Sequence, residues 1–302
     1  MEIIRRKSNS ISISRNVDRN KGVFTLKNIV IVLLLLYFSV FLIYPIGMAF
    51  VGSFYNWNPM NGTFDFNGIK NYSQILGDKL FWTSMTNTVI FSILVIIFRI
   101  LVGLTLALAL FSKLARFKTI FRTVYYMPTI TPLVAVSFVW VWLYNPQFGL
   151  INDIFGLDIN WLKDKHTALG AIMLMTTWKD FGYATIIFLG GLMSLPKDCF
   201  EAAEIDGASG WNKFRFITWP LLKPTTMLVA ITSLITYLQS YIQMLVMTEG
   251  GPGTSTYTIS YLIFKEAFVN YSFGSASAMS VILFIFIAGL TLISFKLTKE
   301  RN

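Results

Sequence analysis

The chain is poor in the residues on which most site chemistry depends. Its 302 residues include one cysteine and one histidine, and only 13% of them are charged. A lone Cys199 excludes an intrachain disulfide framework and any cysteine-rich metal site. His166 lies beside Lys163, Asp164 and Lys165 without a cysteine or paired carboxylates nearby, so neither a metal ligand nor a catalytic base is expected there. GxxxxGK(S/T), HExxH and GxSxG patterns are all missing. No catalytic residue, metal or cofactor is therefore expected. If ATP is used, another chain must bind it together with its magnesium.

The scarcity of charge has a second meaning. A soluble domain is about 25% charged, whereas this chain is 55% hydrophobic. Burying so much apolar surface in one water-soluble core of this size is implausible, so lipid has to be part of the solvent. A hydrocarbon layer of about 30 Å needs about 20 apolar residues as helix. Six stretches qualify: 28–50, 88–111, 124–142, 168–192, 227–246 and 276–295. The expectation is an all-α membrane protein with six transmembrane helices, in which a basic tail (1–27) precedes a membrane domain (28–302) with its core at about 83–295.

What charge there is sits mostly on one side. With the N-terminus inside, the tail, the second–third connection, the fourth–fifth connection and the C-terminal end hold 18 of the 25 Lys and Arg residues. The opposite connections hold five: Lys70, Lys79, Lys163, Lys165 and Lys265. Both termini are expected to be cytoplasmic in a multi-pass protein of a bacterial cell membrane. The net charge of +10 is then a topology signal and a contact for lipid headgroups, and nucleic acid is not needed to explain it. The Ser-, Asn- and Arg-rich 5–19 predicts disorder. On the outer side, 56–82 reads as a turn-rich connection ending in a short amphipathic run. Glu-Gly-Gly-Pro-Gly at 249–253 cannot be helical, and 257–268 suits a short interfacial helix.

The most informative stretch is the connection 196–224, PKDCFEAAEIDGASGWNKFRFITWPLLKP, long for a compact domain. Helix-favouring 201–206, a sharp break at Gly207 and a second short helix over 211–216 predict a helix–turn–helix. Pro220 and Pro224 then set the start of the fifth membrane helix. Small residues Ala202, Ala203 and Ala208 flanked by acids suit docking into a partner's groove.

This stretch resembles the permease subunits of binding-protein-dependent ABC importers. Their signature is Glu-Ala-Ala, three residues, Gly, nine residues, then Ile-x-Leu-Pro. Glu201, Ala202, Ala203, Gly207, Ile217 and Pro220 stand at those spacings, and Trp219 replaces the usual Leu. The resemblance extends over about 66–295, through Phe66, Gly68, Asn71 and Tyr72, Phe81, Asn87 and Thr88, Pro128, Trp140, Gly149, Asn152, Trp178 and Gly182. The Thr248-x-Gly250-Gly251-Pro252 turn is similar to the "first" permease of the maltose and glycerol-phosphate type.

The resemblance implies type I ABC importer permease architecture, with 196–224 as the cytoplasmic coupling helix seated in the ATPase subunit. The coupling residues it implies are Glu201, Ala202, Ala203, Asp206, Gly207, Ala208, Ile217 and Pro220. The implied partners are a second permease subunit, two ATPase subunits and an extracytoplasmic solute-binding protein, and the implied cargo is a sugar, with glycerol phosphate as the alternative.

Ionisable groups at membrane depth cost roughly 2.5–3.5 kcal/mol each on insertion scales, so each requires a reason. Arg99 falls mid-way along the second stretch and is read as structural. Lys179 and Asp180 fall in the fourth; as neighbours in sequence they are expected on different faces, each pairing with another helix or lining water. Thr176, Asp180 and Tyr183 share one face of the fourth helix, and Ser233, Tyr237 and Ser240 one face of the fifth, with Gln243 beyond them. Hydroxyls and aromatic rings in such stripes suit a sugar's OH groups and C–H faces. In the resembled family the sugar-lining positions fall on these helices and near 128–132, which brings in Thr129 and Lys179. Ser, Thr and Gln can instead simply tie helices together.

A secondary transporter would leave 196–224 unexplained and should show inverted repeats. An intramembrane enzyme would need facing catalytic groups, and Asp180 is the only acid at that depth.

Overall fold

The computed structural model describes residues 19–112 and 118–299. Most of the basic tail, with the disorder expected there, lies outside the described residues, as do 113–117 and 300–302. The chain divides into two units, 1–48 and 49–302.

In the first unit, helix α1 (Arg19–Phe38) begins inside the stretch read as a tail and continues through a π turn, Ser39–Ile43, into α2 (Tyr44–Gly52). The Tyr44 amide donates to the Ser39 carbonyl, five residues back. Pro45 follows immediately and has no N–H to donate, so the wider turn forms where the α-helical ladder would fail anyway. Leu26–Gly52 is long and apolar enough to cross a membrane.

The second unit opens with a β-hairpin, β1 (Tyr55–Asn58) and β2 (Thr63–Phe66), where only turns were expected. Cross-strand aromatic pairing explains it: Tyr55 stacks on Phe64 with ring centroids 4.3 Å apart. Helix α3 (Lys70–Gly77) follows. Asn71 on it donates to the Ser53 and Tyr55 carbonyls at 2.9 and 3.0 Å. Asp78 caps α4 (Lys79–Phe111), accepting from the Leu80 amide at 2.8 Å.

Two of the six expected membrane stretches are not single helices. The third is broken into α5 (Lys118–Ile130) and α6 (Leu133–Leu143), bent by 97°. Pro132 removes a donor and drives Thr131 out of helical geometry. After α7 (Leu150–Phe155) comes α8 (Ala168–Met193), a 26-residue helix about 39 Å long.

The fifth stretch divides into α12 (Lys223–Leu238) and α13 (Ile242–Met247). The break is stabilised from outside it: the Thr258 hydroxyl donates to the Ser240 carbonyl at 2.9 Å and Ser260 to that of Leu238 at 3.3 Å. Helices α14 (Ile259–Phe268) and α15 (Phe273–Lys299) complete the unit. Among the described residues, three helices are long and apolar enough to cross a membrane. The total rises to five if each of two bent pairs, α5 with α6 and Gly210–Leu221 with α12, makes one span.

Helix α4 packs most extensively on α8. A Cβ added at Gly103 would lie 2.7 Å from that of Ala184, and one at Gly182 would lie 2.0 Å from the Tyr125 carbonyl oxygen on α5. In lipid there is little hydrophobic drive between helices, so such close backbone approach supplies the packing.

Candidate functional site

Four helices meet around one charged cluster. Arg99 on α4 is buried, donates to the Ser233 hydroxyl on α12 at 2.9 Å, and lies over the rings of Tyr183 (5.1 Å) and Tyr237 (5.6 Å). Among the described residues its Nε has no hydrogen-bond partner. The Tyr237 hydroxyl donates to Asp180 Oδ2 at 3.0 Å, and Asp180 Oδ1 lies 3.5 Å from Lys179 Nζ. Lys179 also reaches α5: its ammonium donates to the Thr129 carbonyl at 3.2 Å, while the Thr129 hydroxyl donates to the Lys179 carbonyl at 3.0 Å. That reciprocal pair satisfies groups at the C-terminal end of α5, where the 97° bend frees carbonyls.

This arrangement corrects one expectation. Lys179 and Asp180, adjacent in sequence, do contact each other, because the long lysine chain curls back to its neighbour. Each also binds a second helix, as expected. The predicted stripe divides by exposure. Thr176 is buried and donates to the Ile172 carbonyl; Ser233 and Tyr237 are buried and bonded within the chain. Tyr183 is 39% exposed, and Asp180 and Lys179 retain partial exposure. The break after Leu238 takes Ser240 out of register with Tyr237; its hydroxyl donates to the Thr236 carbonyl at 3.3 Å, and Gln243 is buried on α13. Arg99, read from the sequence as structural, is the hub of this cluster. Its isolation as the one charge in 88–111 was the available signal.

The 196–224 segment folds as two helices across a glycine turn. Helix α9 (Lys197–Ile205) ends at Asp206. Gly207 follows with φ +68°, its amide donating to the Glu204 carbonyl at 3.1 Å and that of Ala208 to Ala203 at 2.9 Å. These two bonds are the Schellman motif, and they explain the fixed spacing from Ala203 to Gly207. Ser209 then caps α10 (Gly210–Lys213), accepting from the Asn212 amide. A second π turn, Phe214–Thr218, which contains Ile217, leads into α11 (Trp219–Leu221) and again ends just before an aromatic–proline pair, Trp219–Pro220. Lys213 bridges back to Glu204 at 3.1 Å. Glu201, Ala202 and Asp206 are exposed and Ala203 is buried; Ile205, Trp211 and Phe216 are exposed apolar side chains on the same projection.

At the N-terminal end of α8, the segment that follows the 249–253 turn is seated on α4. Asn87 donates to the Thr254 and Tyr257 carbonyls at 3.2 and 3.0 Å, and Thr88 accepts from the Ile259 amide at 2.8 Å. Nearby, the Lys265 ammonium bonds the Tyr257 hydroxyl at 2.6 Å, which holds it charged above its ordinary range.

With this geometry in place, the likeness to known proteins is informative. Residues 99–299 match the family described as binding-protein-dependent transport system inner membrane component. The chain is 33% identical over 300 residues to the lactose transport system permease protein LacF of Rhizobium radiobacter, covering 96% of this chain and 98% of that one. It is 32% identical over 267 residues to the sn-glycerol-3-phosphate transport system permease protein UgpA of Agrobacterium fabrum, covering 87% and 90%. Its fold matches a chain of the bacterial alginate ABC transporter solved with an alginate pentasaccharide-bound periplasmic protein. The TM-score is 0.78 at 20% identity, covering 91% of this chain and 94% of that one. The chain belongs to the binding-protein-dependent ABC transporter permease family. It is a non-catalytic, multi-pass membrane subunit, and ATP hydrolysis belongs to a separate subunit.

Proposed function

We propose that the chain forms half of the membrane pathway of an ATP-driven saccharide importer, completed by a second permease, two ATPase subunits and an extracytoplasmic binding protein. The observation that carries this reading is the 196–224 projection: a rigid glycine-turned pair of helices displaying Ile205, Trp211 and Phe216 beside exposed acids. Apolar side chains on a charged projection suit insertion into a partner's cleft. Through it, closure of the ATPases would rotate α12, which follows directly, against α4 and α8. Six spans, with α8 counted among them, put both termini and this projection in the cytoplasm by the distribution of Lys and Arg.

For the cargo path, Tyr183, Asp180 and Lys179 are the stronger candidates because they retain exposure, together with Thr129 and Ser240. Thr176, Ser233 and Tyr237 support them from within. The kinship with a lactose permease favours a saccharide, and that with a glycerol-phosphate permease keeps a phosphorylated polyol as the second reading.

The test is uptake of lactose, trehalose and glycerol 3-phosphate into proteoliposomes holding the whole complex. Uptake should require both internal ATP and the binding protein. Uptake driven by an ion gradient without ATP would overturn the reading. Cysteines placed at Asn61 and Asn160 should react with an impermeant reagent from outside, and one at Asn212 should not.

A further inference from the structure

Opposite the 196–224 projection, at the N-terminal end of α8, a groove opens between three loops. Its deeper part is a cavity of about 420 Å³ lined by Tyr144, Asn145, Gln147, Trp161, Lys163 and Glu249. It adjoins a shallower recess that shares Asn160 and Lys163 and runs out to Pro252 and Gly253. We infer that this groove is a saccharide-binding subsite at the outer mouth, distinct from the cluster around Arg99. The inference rests on the importer reading above.

Three observations carry it. The first is size: about 420 Å³ lies within the roughly 300–1,000 Å³ of small-molecule sites. The second is chemistry. Carboxamides, a carboxylate and an ammonium surround the half-buried Trp161 ring, so donors and acceptors for vicinal hydroxyls stand beside a flat apolar face. Among the described residues, the side chains of Gln147, Lys163 and Glu249 enter no hydrogen bond or ion pair. Asn145 spends its oxygen on the Gln147 and Phe148 amides at 2.8 and 3.3 Å, which orients its Nδ2 group without occupying it.

The third observation is rigidity. The Trp161 indole is held by its bond to Asn152 at 2.7 Å, and Tyr144 by its hydroxyl's bond to the Ala171 carbonyl at 2.9 Å. The wall carrying Glu249 is braced by Thr248 and Thr256, whose hydroxyls lie 2.7 Å apart, and by the Gly251 amide bonding the Thr248 carbonyl at 2.8 Å. Fixed walls with unspent polar groups lower the ordering cost of binding.

The experiment places an environment-sensitive bimane label at Phe148→Cys, an exposed position next in sequence to Gln147, in a Cys199→Ser background of the complete complex in nanodiscs. Lactose, trehalose or maltotriose, added without binding protein or nucleotide, should change the emission saturably, and sorbitol should not. Glu249→Gln with Asn145→Ala should weaken half-saturation roughly tenfold, the loss of about two hydrogen bonds. A signal that follows only added binding protein would overturn the subsite in favour of a docking surface. Silence to every saccharide, in a complex that still performs ATP-driven uptake, would overturn it while leaving the importer reading intact. Loss of ATP dependence itself would instead remove the reading on which the subsite rests.

Discussion

Gly207 and Gly250 both hold left-handed backbone, with φ +68° and +84°, at opposite ends of the helical unit. Their surroundings differ completely. A Cβ at Gly207 would meet nothing within 4 Å, whereas one at Gly250 would lie 2.4 Å from the Tyr257 ring and 2.6 Å from that of Tyr261. The first turn is fixed by its own backbone bonds and leaves its outer surface free. The second is fixed by everything around it. The end with Gly207 therefore presents a stiff projection, and the end with Gly250 builds a braced wall.

The sharpest way to break this contrast is at Gly250. Gly250→Val should destabilise the folded subunit by roughly 2–5 kcal/mol, from overpacking against two rings together with backbone strain. Thermal unfolding in detergent would register it, and wild-type stability would mean that the rings yield freely.

Gly207→Val should cost only the strain of its backbone, about 1–2 kcal/mol. The complex should assemble but lose coupling, read as ATP-driven uptake per assembled complex. Normal uptake would reduce the 196–224 segment to a passive connection.

The smallest stability effect is expected in the middle of the molecule. Tyr237→Phe removes a hydroxyl that bonds Asp180 inside the chain, and such interhelical bonds average about 0.6 kcal/mol in membranes. Asp180→Asn keeps the shape and removes charge from a partly exposed group, so it should alter the preference among competing sugars at nearly unchanged stability. Equal loss for all sugars, in proportion to lost assembly, would make Asp180 structural.

Much of this was legible in the sequence. The helix–glycine–helix over 196–224 follows from local chemistry, because a Schellman bond spans only a few residues and Gly207 marks it. The apolar stretches located the long helices for the same reason. Pro132 announced the bend after α5, but the continuous apolar run around it masked the signal. The break after Leu238 was not legible, since the hydroxyls that stabilise it, on Thr258 and Ser260, belong to a later segment. Nor was the Arg99 hub: its partner Ser233 is 134 residues away, and periodicity along one helix says nothing about which helix faces it. The hairpin after α2 depended on a cross-strand ring pair that turn residues alone do not reveal.

The charged cluster also bears on how the chain is made. Helix α4 meets the length and apolarity needed to cross a membrane even with Arg99 in it, whereas α8, carrying Lys179 and Asp180, is not among the helices that do. Each such charge costs roughly 2.5–3.5 kcal/mol at mid-membrane on insertion scales. Lys179 finds its carbonyl partner on α5, which precedes α8 in the chain, whereas Asp180 finds the Tyr237 hydroxyl on α12, which follows it. Synthesis therefore delivers one of the two partners before α8 and the other only after it, so the charges of α8 are satisfied in two stages. Chains truncated after Met193 should integrate α8 less efficiently than chains extended through Leu238, and equal integration in both would remove the dependence on α12.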